Sequence, residues 1–477
     1  MAVSSSRVAR LALMSAIVTA VGAGCAAQYE SAMGRDIAAA RQGLLATETA
    51  PRVDPEELVE DGEGPEGYVV YALRAHPELH AAYERWRAMT LRISRARQLP
   101  EPVVSYGFFV QSVETRVGPQ RHRLSVRQSF PWPTKLTAGA DAVALRARAL
   151  QRRFDARALI VRARVEEHYW HLWTVREVRA VRREQAVILG DLSAGVRGRL
   201  EVGAVQLADL QQIDVARARL DDTIEALDEE ERQATARLVD AIGAPVDSVA
   251  PTSSRPPSIA AVGEGEEALR DAVHAHPAIE SFAHLAAASE ADAASVEADR
   301  FPSFMLGVDW IETGEAQAAV PGSGTDAVIA SVGVRIPLWQ PAYDDTQRAA
   351  EADASAHRAD GRTVTNSALA QLAVTLSAVR DSHRRVRLHR DTLIPQALSA
   401  YESVLGAYSA GRGNVAAALL AQRDLLELRE ALVRAESEHA RAWARLDAVV
   451  GHRVQRASQR SGAPRAESAA AGEDDGD

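Results

Sequence analysis

The sequence predicts a mostly helical protein with a small β part, built from a helix–strand–strand–helix–helix unit that occurs twice. Two short motifs return in the same order about 200 positions further along the chain. Leu73–Pro77 returns as Val273–Pro277, and Phe130–Trp132 returns as Ile336–Trp339. Residues 134–244 contain no proline and are rich in Ala, Leu, Arg and Glu, which is typical of long helices.

The duplication and the shifts in composition divide the chain into six segments. A Pro- and Ser-rich stretch separates the two copies, and the C-terminal tail is rich in Ser, Ala, Gly and acidic residues. The predicted segments are a signal peptide at 1–24, a lipid-anchored extended segment at 25–66, a first structural repeat at 67–249, a linker at 250–262, a second structural repeat at 263–452 and a disordered tail at 453–477.

The N-terminus has the features of a targeting segment. Arg7 and Arg10 precede an apolar run at 11–21 that is too short to span a bilayer. Cys25, the single cysteine, follows where cleavage is expected. The sequence around it resembles a bacterial lipobox, although Gly22 stands where Leu is usual. Cys25 is therefore predicted to carry lipid, including palmitate; the alternative is ordinary signal cleavage beside an incidental cysteine.

Each repeat contains two segments that alternate as β-strands do. In the first copy, 103–112 and 121–130 are predicted strands, and Arg123, Ser125, Arg127 and Ser129 share the polar face of the second. In the second copy, one face is apolar and the other carries Asp309 and Arg335. A soluble antiparallel sheet would show a similar alternation.

Four strands of about ten residues with one apolar and one polar face also fit a transmembrane barrel with a polar lumen. Four strands cannot close such a barrel, and open sheet edges are too costly in lipid. The chain is therefore predicted to oligomerise, and three copies would supply twelve strands. On this interpretation Arg127, Asp309 and Arg335 face the lumen.

The remaining parts of the repeats are predicted to be long helices. The first copy has one at about 136–200 and a second at about 205–242. The matching helix of the second copy carries apolar residues that step by alternating three and four between Leu425 and Val449. This pattern is that of a coiled-coil seam and predicts a hollow helical barrel.

Several motifs together resemble the TolC-like outer membrane factors, over about residues 65–450. Their order and spacing carry the resemblance, which is closest to lipoprotein-type members that serve drug or heavy-metal efflux. The motifs are the lipobox-like cysteine, the duplicated unit, the strand-to-helix junctions Gln128–Pro133 and Val334–Trp339, and the second hairpin's Leu393–Ala397, Tyr401, Tyr408, Gly411 and Leu420–Gln422.

The resemblance implies a homotrimer with a twelve-stranded outer membrane β-barrel, continued by a long periplasmic α-helical barrel. It also implies a periplasmic adaptor protein and an inner-membrane efflux pump as partners. In this family the periplasmic hairpin tips close the channel. The matching gate candidates are Glu201, Gly203 and Asp209 in the first tip, and Arg412 and Gly413 in the second.

Two interpretations of Asp209 remain open. Three copies would place an acidic ring at the gate, whereas a single copy would place an acid at a helix start, where the helix dipole favours it. The second tip has no acid. Arg412 pairing with Asp209 or Glu201 is therefore a further possibility.

Enzymatic and nucleic-acid functions are not indicated. The sequence has no nucleophile elbow, no phosphate-binding glycine loop and no metal-ligand motif. His168 and His171 are predicted to belong to an interhelical packing belt rather than to a metal site. Basic and acidic residues are interspersed, with a net charge of −10. No cofactor is expected.

The predicted function is a passive exit duct for small molecules or metal ions, localised in the outer membrane and extending into the periplasm. One alternative is an outer membrane duct for type I protein secretion. Another is a lipid-anchored periplasmic coiled-coil scaffold without a pore. The two strand-connecting loops, at 113–120 and 312–326, are longer than a two-residue hairpin and favour a duct.

Overall fold

A computed structural model describes residues 28–44, 64–203, 205–243, 252 and 255–457. The signal peptide, Cys25 and residues 458–477 of the predicted tail lie outside these residues. The chain divides into two compact units. The described residues within 1–50, 77–157 and 277–364 form the strand unit, and those within 51–76, 158–276 and 365–477 form the helical unit.

The described elements follow one another in a largely repeated order. The helices are α1 (Gln28–Gly43), α2 (Glu66–Ala75), α3 (Pro77–Arg97), α4 (Pro133–Glu201), α5 (Leu207–Ile242), α6 (Glu266–His274), α7 (Pro277–Ala298), α8 (Gln340–Leu388), α9 (Ile394–Ser409) and α10 (Val415–Val450). The strands are β1 (Val103–Phe108), β2 (Glu114–Thr115), β3 (Gly118–Phe130), β4 (Ala261–Val262), β5 (Ser303–Thr313), β6 (Ala327–Arg335) and β7 (Arg456–Ala457). The prediction of a mostly helical chain with a small β part is confirmed.

The long helix of the second copy is interrupted, whereas α4 is continuous over 69 residues. A π-turn at His389–Leu393 separates α8 from α9. The Ile394 N–H bonds to the His389 carbonyl, five residues earlier. Pro395, the next residue, has no N–H to offer to the preceding turn. The extra residue of the π-turn accommodates this break in the α-helical hydrogen-bonding pattern.

Part of the segment predicted to be extended is helical instead. Within 25–66, residues 28–43 form α1 and residues from Glu66 onward form α2. α1 lies in the strand unit, where Met33 and Ile37 pack into a cluster with Trp86 and Ile93 of α3. The burial of this apolar side of α1 outweighs the acidic composition on which the prediction rested.

The predicted disordered tail also begins with ordered residues. Arg456 and Ala457 form β7, which pairs antiparallel with β4, inside the predicted linker. The Val454 N–H donates to the Asp447 carboxylate at 2.9 Å, which fastens the chain directly after α10. Backbone pairing between segments that are distant in the sequence therefore orders both ends of the second repeat.

The strand unit contains one antiparallel sheet in the order β1-β3-β5-β6, with β2 paired to the start of β3. β3 and β5 come from different repeats and pair from Gln120 opposite Thr313 to Phe130 opposite Phe304. The edge strands β1 and β6 each have one neighbour in this path. The centre of the sheet is therefore the junction of the two repeats.

The helical unit buries large apolar side chains between its helices. Trp173, Leu238 and Leu446, from α4, α5 and α10, are at most 2% exposed. Arg176 of α4 pairs with Glu231 of α5 at 2.7 Å. Among the described residues, no helix combines the length and the hydropathy that crossing a membrane requires.

Candidate functional site: the sheet faces and the hairpin tips

The sheet has two chemically distinct faces. Side chains of directly paired residues lie on the same face of an antiparallel sheet. The register therefore gathers Arg123, Ser125, Arg127, Ser303, Asp309, Ser331 and Arg335 on one face, together with the apolar Val103, Met305, Ile311 and Ile329. The opposite face carries Val104, Tyr106, Leu124, Val126, Phe130, Phe304, Leu306, Val308, Trp310, Val328, Val332 and Val334.

Asp309 is the centre of a charge cluster on the polar face. Its Oδ1 accepts from Arg123 Nε at 3.0 Å and Nη2 at 2.8 Å. The Ser125 hydroxyl donates to the same oxygen. Arg127 Nη2 lies 3.8 Å from it. One buried carboxylate thus holds two guanidinium groups, and both of these side chains remain 43% exposed.

Gly307 provides the space in which Arg127 lies beside this cluster. The two residues are paired across β3 and β5. A Cβ at Gly307 would lie 3.3 Å from Arg127 Cγ and 2.5 Å from Ser331 Oγ. Any larger residue at 307 would therefore displace one of these side chains.

Two of the predicted lumen residues come together and the third lies apart. Arg127 and Asp309 belong to the charge cluster, whereas Arg335 is at the end of β6, opposite Ser303. Arg123 and Ser125, which the sequence placed on the same face, are the direct hydrogen-bond partners of Asp309. Their odd-numbered alternation in β3 was the available signal.

The opposite face exposes its apolar side chains. Val332 is 74% exposed and Val104 is 64% exposed. Aromatic residues lie towards both ends of this face, with Tyr106 and Trp310 nearer the loops and Phe304 near the helix junctions. Measured along β3, the aromatic residues near the loops and those near the helix junctions are six residues apart, or about 20 Å.

The first hairpin tip is a tight turn between α4 and α5. Gly203 adopts φ +74°, a conformation that favours glycine. Gln206 is the N-cap of α5, and its N–H donates to Asp209 Oδ2 at 3.1 Å. Asp209 therefore completes a capping box in each chain. Glu201, the last residue of α4, is exposed.

The second tip has the same plan with different chemistry. Gly411 adopts φ +73°, and a Cβ at Gly413 would approach Tyr408 N to 3.0 Å. Asn414 caps α10 by accepting from the Ala417 N–H at 2.8 Å. Within the described part of one chain, Arg412 makes no ion pair with Asp209 or Glu201. Asp209 is engaged by its own helix start, and pairing of Arg412 with Asp209 or Glu201 stays a prediction.

The two hairpins meet close behind their tips. Val196, Ile213, Tyr408 and Val415 form a buried cluster. Arg199 donates to the Tyr408 carbonyl at 3.3 Å, and its guanidinium lies 5.0 Å from the centre of the Tyr408 ring. The sequence motif contained Tyr408, but nothing in the local pattern indicated Arg199 as its partner.

His168, His171 and His439 of the helical unit lie among packed side chains in this structure. Burial lowers the pKa of His168 and of His171. His439 is fully buried, and its Nε2 accepts from Trp443 Nε1 at 3.0 Å and from the Ala260 N–H at 3.3 Å. Among the described residues, no group of three or more His, Cys, Asp or Glu side chains could hold a metal ion.

Comparison with known proteins agrees with these features. Residues 268–452 match the family model for the outer membrane efflux protein. No curated protein matches the sequence. The matched family is a family of channels rather than of enzymes.

Solved structures share the fold at low sequence identity. A membrane protein from Pseudomonas aeruginosa is 17% identical, with a TM-score of 0.69 over 83% of this chain and 95% of that one. The outer membrane protein VceC from Vibrio cholerae is 16% identical, with a TM-score of 0.66 over 81% and 96%. The MtrE outer membrane channel from Neisseria gonorrhoeae is 15% identical, with a TM-score of 0.67 over 81% and 89%. The resemblance to TolC-like channels is confirmed.

Proposed function

We propose that this chain is the passive exit duct of a tripartite efflux system. The premise is that it carries an outer membrane efflux protein domain and has the fold of TolC-like channels. A periplasmic adaptor and an inner-membrane pump would deliver small molecules or metal ions to it. The duct has no catalytic step of its own, because the pump supplies the energy. The two-faced sheet is the observation that carries this proposal.

The exposed apolar face supports insertion into lipid. A soluble sheet would cover such a face, since large exposed apolar patches are rare on soluble monomers. Tyr106 and Trp310 near one end and Phe304 near the other are arranged like the aromatic girdles of outer membrane barrels. The same exposure disfavours a scaffold without a pore.

The open edges of the sheet support a trimer. β1 and β6 each leave one side unpaired in the sheet of a single chain, and unpaired backbone groups are costly in lipid. Joining β6 of one copy to β1 of the next would remove the edges. Three copies would make the twelve-stranded barrel, with the polar face of the sheet lining its lumen.

The hairpin tips would form the periplasmic gate of this duct. Both tips combine a glycine turn with a capped helix start. The Arg199–Tyr408 contact and the apolar cluster behind the tips hold the two hairpins together. Adaptor binding would dilate the tips, and solutes would then diffuse through a water-filled tunnel.

Lipid attachment at Cys25 is a separate part of the proposal. α1 begins three residues later, and three residues span at most about 11 Å. α1 packs on α3, the helix that leads into β1. Mass spectrometry of the mature N-terminus would show the acylated cysteine. A Cys25→Ala protein with the same cleavage site and no lipid would argue for ordinary signal cleavage.

The test of the duct is the oligomer mass in detergent together with single-channel conductance in planar bilayers. A trimer with small, flickering conductance is expected for a closed duct. A water-soluble monomer or dimer without conductance would contradict the proposal and favour the scaffold.

A duct for type I protein secretion would also conduct. Pull-down of the inner-membrane partner separates the two ducts, because an efflux pump and a protein exporter differ in identity.

A further inference from the structure

We infer that Arg123, Arg127 and Asp309 form a basic ring in the barrel of the proposed duct, and that this ring favours the passage of small anions. The inference rests on the proposed function, because a ring exists only when several copies close one barrel. It assigns a solute preference to a cluster that would otherwise be regarded as an ion pair between strands.

The cluster holds its charges in fixed positions. Arg123 is fastened to Asp309 through two N–H groups, and Ser125 adds a third donor to the same carboxylate oxygen. These three groups join β3 to β5 on the polar face. Arg127 is therefore not needed to satisfy Asp309.

The second arginine leaves positive charge in excess. Arg127 is 3.8 Å from Asp309 Oδ1, and 43% of its side chain is exposed. The neighbouring Gly307 leaves room for its side chain on the sheet surface. A structural ion pair would need one arginine, so the excess charge of Arg127 remains available to the solvent on this face.

No other carboxylate on this face compensates for it. Along β1, β5, β6 and residues 122–130 of β3, all of which the structure describes, Asp309 is the single acid on the polar face. Arg335 adds another positive charge towards the helix junction. Glu312 lies on the opposite face, beside His122.

A ring of like charges selects ions by their sign. Fixed charges lining a pore raise the local concentration of counter-ions and lower that of co-ions. At about 0.1 M salt the Debye length is about 10 Å, so three charges at a comparable distance from the pore axis change the local ion concentration by about twofold. The expected preference is for small organic or inorganic anions.

The test is the reversal potential of the purified trimer in a planar bilayer with a tenfold KCl gradient. The native protein is expected to pass chloride more readily than potassium. Arg127→Gln should lower the chloride-to-potassium permeability ratio by about fourfold, because the local chloride concentration falls and the local potassium concentration rises by about twofold each, and Arg127→Glu should lower the ratio further.

Arg127→Lys is the matched control, because it retains the charge while it changes the hydrogen bonding. Its permeability ratio should stay at the native value. Conducting trimers of Arg127→Glu with the native reversal potential would overturn the ring. Failure of the native protein to conduct would instead overturn the duct itself and the ring with it, so the two failures are distinguishable.

Discussion

The sheet of the strand unit and the helical unit differ in how far their apolar side chains are buried. The helical unit buries Trp173, Leu238 and Leu446 among its own helices. The strand unit leaves most of the apolar face of its sheet exposed, including Val104 and Val332. The helical unit therefore satisfies the hydrophobic effect within the chain, whereas the apolar face of the sheet has no cover from the described residues of this chain.

The two units also differ in how completely their charged side chains are paired. In the helical unit, buried Glu430 pairs with Arg182 of another helix, and Arg445 pairs with Glu167 at 2.6 Å. On the polar face of the sheet, arginines outnumber the carboxylate. The helical unit thus pairs its buried charges within the chain, whereas the sheet leaves arginine charge in excess on its surface.

The largest effect is expected from a substitution on the exposed apolar face of the sheet. Val332→Arg should prevent membrane assembly, because a charge on the lipid side costs about 2–4 kcal/mol per chain near the bilayer midplane. Ser331→Arg, one residue away on the polar face, is the matched control and should still assemble. The measurement is the yield of trimer in outer membrane fractions. Equal yields for the two variants would remove the reason for placing lipid on that face.

The next largest effect is expected from a cavity in the helical unit, which should lower the free energy of unfolding. Leu446 of α10 is fully buried, so Leu446→Ala should lower the free energy of unfolding by about 3 kcal/mol. Leu420, on the same helix, is 50% exposed, and Leu420→Ala should change it by less than about 1 kcal/mol. Urea denaturation followed by circular dichroism measures both. Similar losses would show that α10 is not packed as described.

Acid should weaken the helical unit through His439. Burial, and then the neighbouring His383, lowers the pKa of His439 to about 4. In addition, Nε2 accepts hydrogen bonds from the Trp443 and Ala260 N–H groups, so a proton on Nε2 would remove the acceptor of both bonds. The unfolded state binds the proton more readily, so stability present above about pH 6.5 is lost as the pH falls towards 4, by at most about 3 kcal/mol.

His439→Gln should flatten this part of the stability profile. The urea midpoint of the native protein should fall between pH 7 and pH 4.5 by more than that of the variant. His452→Gln, at a half-exposed histidine, controls for the loss of an imidazole. An unchanged profile in His439→Gln would exclude His439 as the source of the pH dependence.

The smallest effects are expected at the tips, where the two repeats differ in charge. Asp209→Ala removes the acceptor of the capping box of α5, and Asn414→Ala removes the N-cap acceptor of α10; each should cost about 1 kcal/mol locally. Amide exchange should accelerate at the start of α5 in the first variant and of α10 in the second.

Conductance separates capping from gating. If Asp209 also contributes to an acidic gate, Asp209→Ala should raise the conductance while Asn414→Ala leaves it unchanged. Equal conductance in both variants would leave Asp209 with its capping role alone.

Local patterns predicted much of the fold, because helix and strand periods are properties of short segments. The long helix predicted at 136–200 is found at Pro133–Glu201, and the strand predicted at 121–130 lies within Gly118–Phe130. The π-turn at His389–Leu393 was not predicted. Pro395 marks the break, but whether a helix ends, bends or gains a residue there depends on the packing around it.

In the candidate site, too, local patterns predicted some features and packing decided others. Alternation indicated that Arg127 and Asp309 belong to polar faces, and the motif spacing located both hairpin tips. Pairing of Arg123 with Asp309 joins residues 186 positions apart, and Arg199 reaches Tyr408 across 209 positions. Neither contact has a local signal, because each depends on which elements become neighbours.

The sequence by itself determined the duplication, the types of the long helices and of the main strands, and the face on which each strand residue lies. These follow from periodicity, which the geometry of a single helix or strand imposes on its own residues. The tertiary structure decided that α1 is helical, that Asp209 caps its own helix and that two arginines share one aspartate. Those outcomes depend on burial and on pairing between distant segments, and only the folded chain brings those groups into contact.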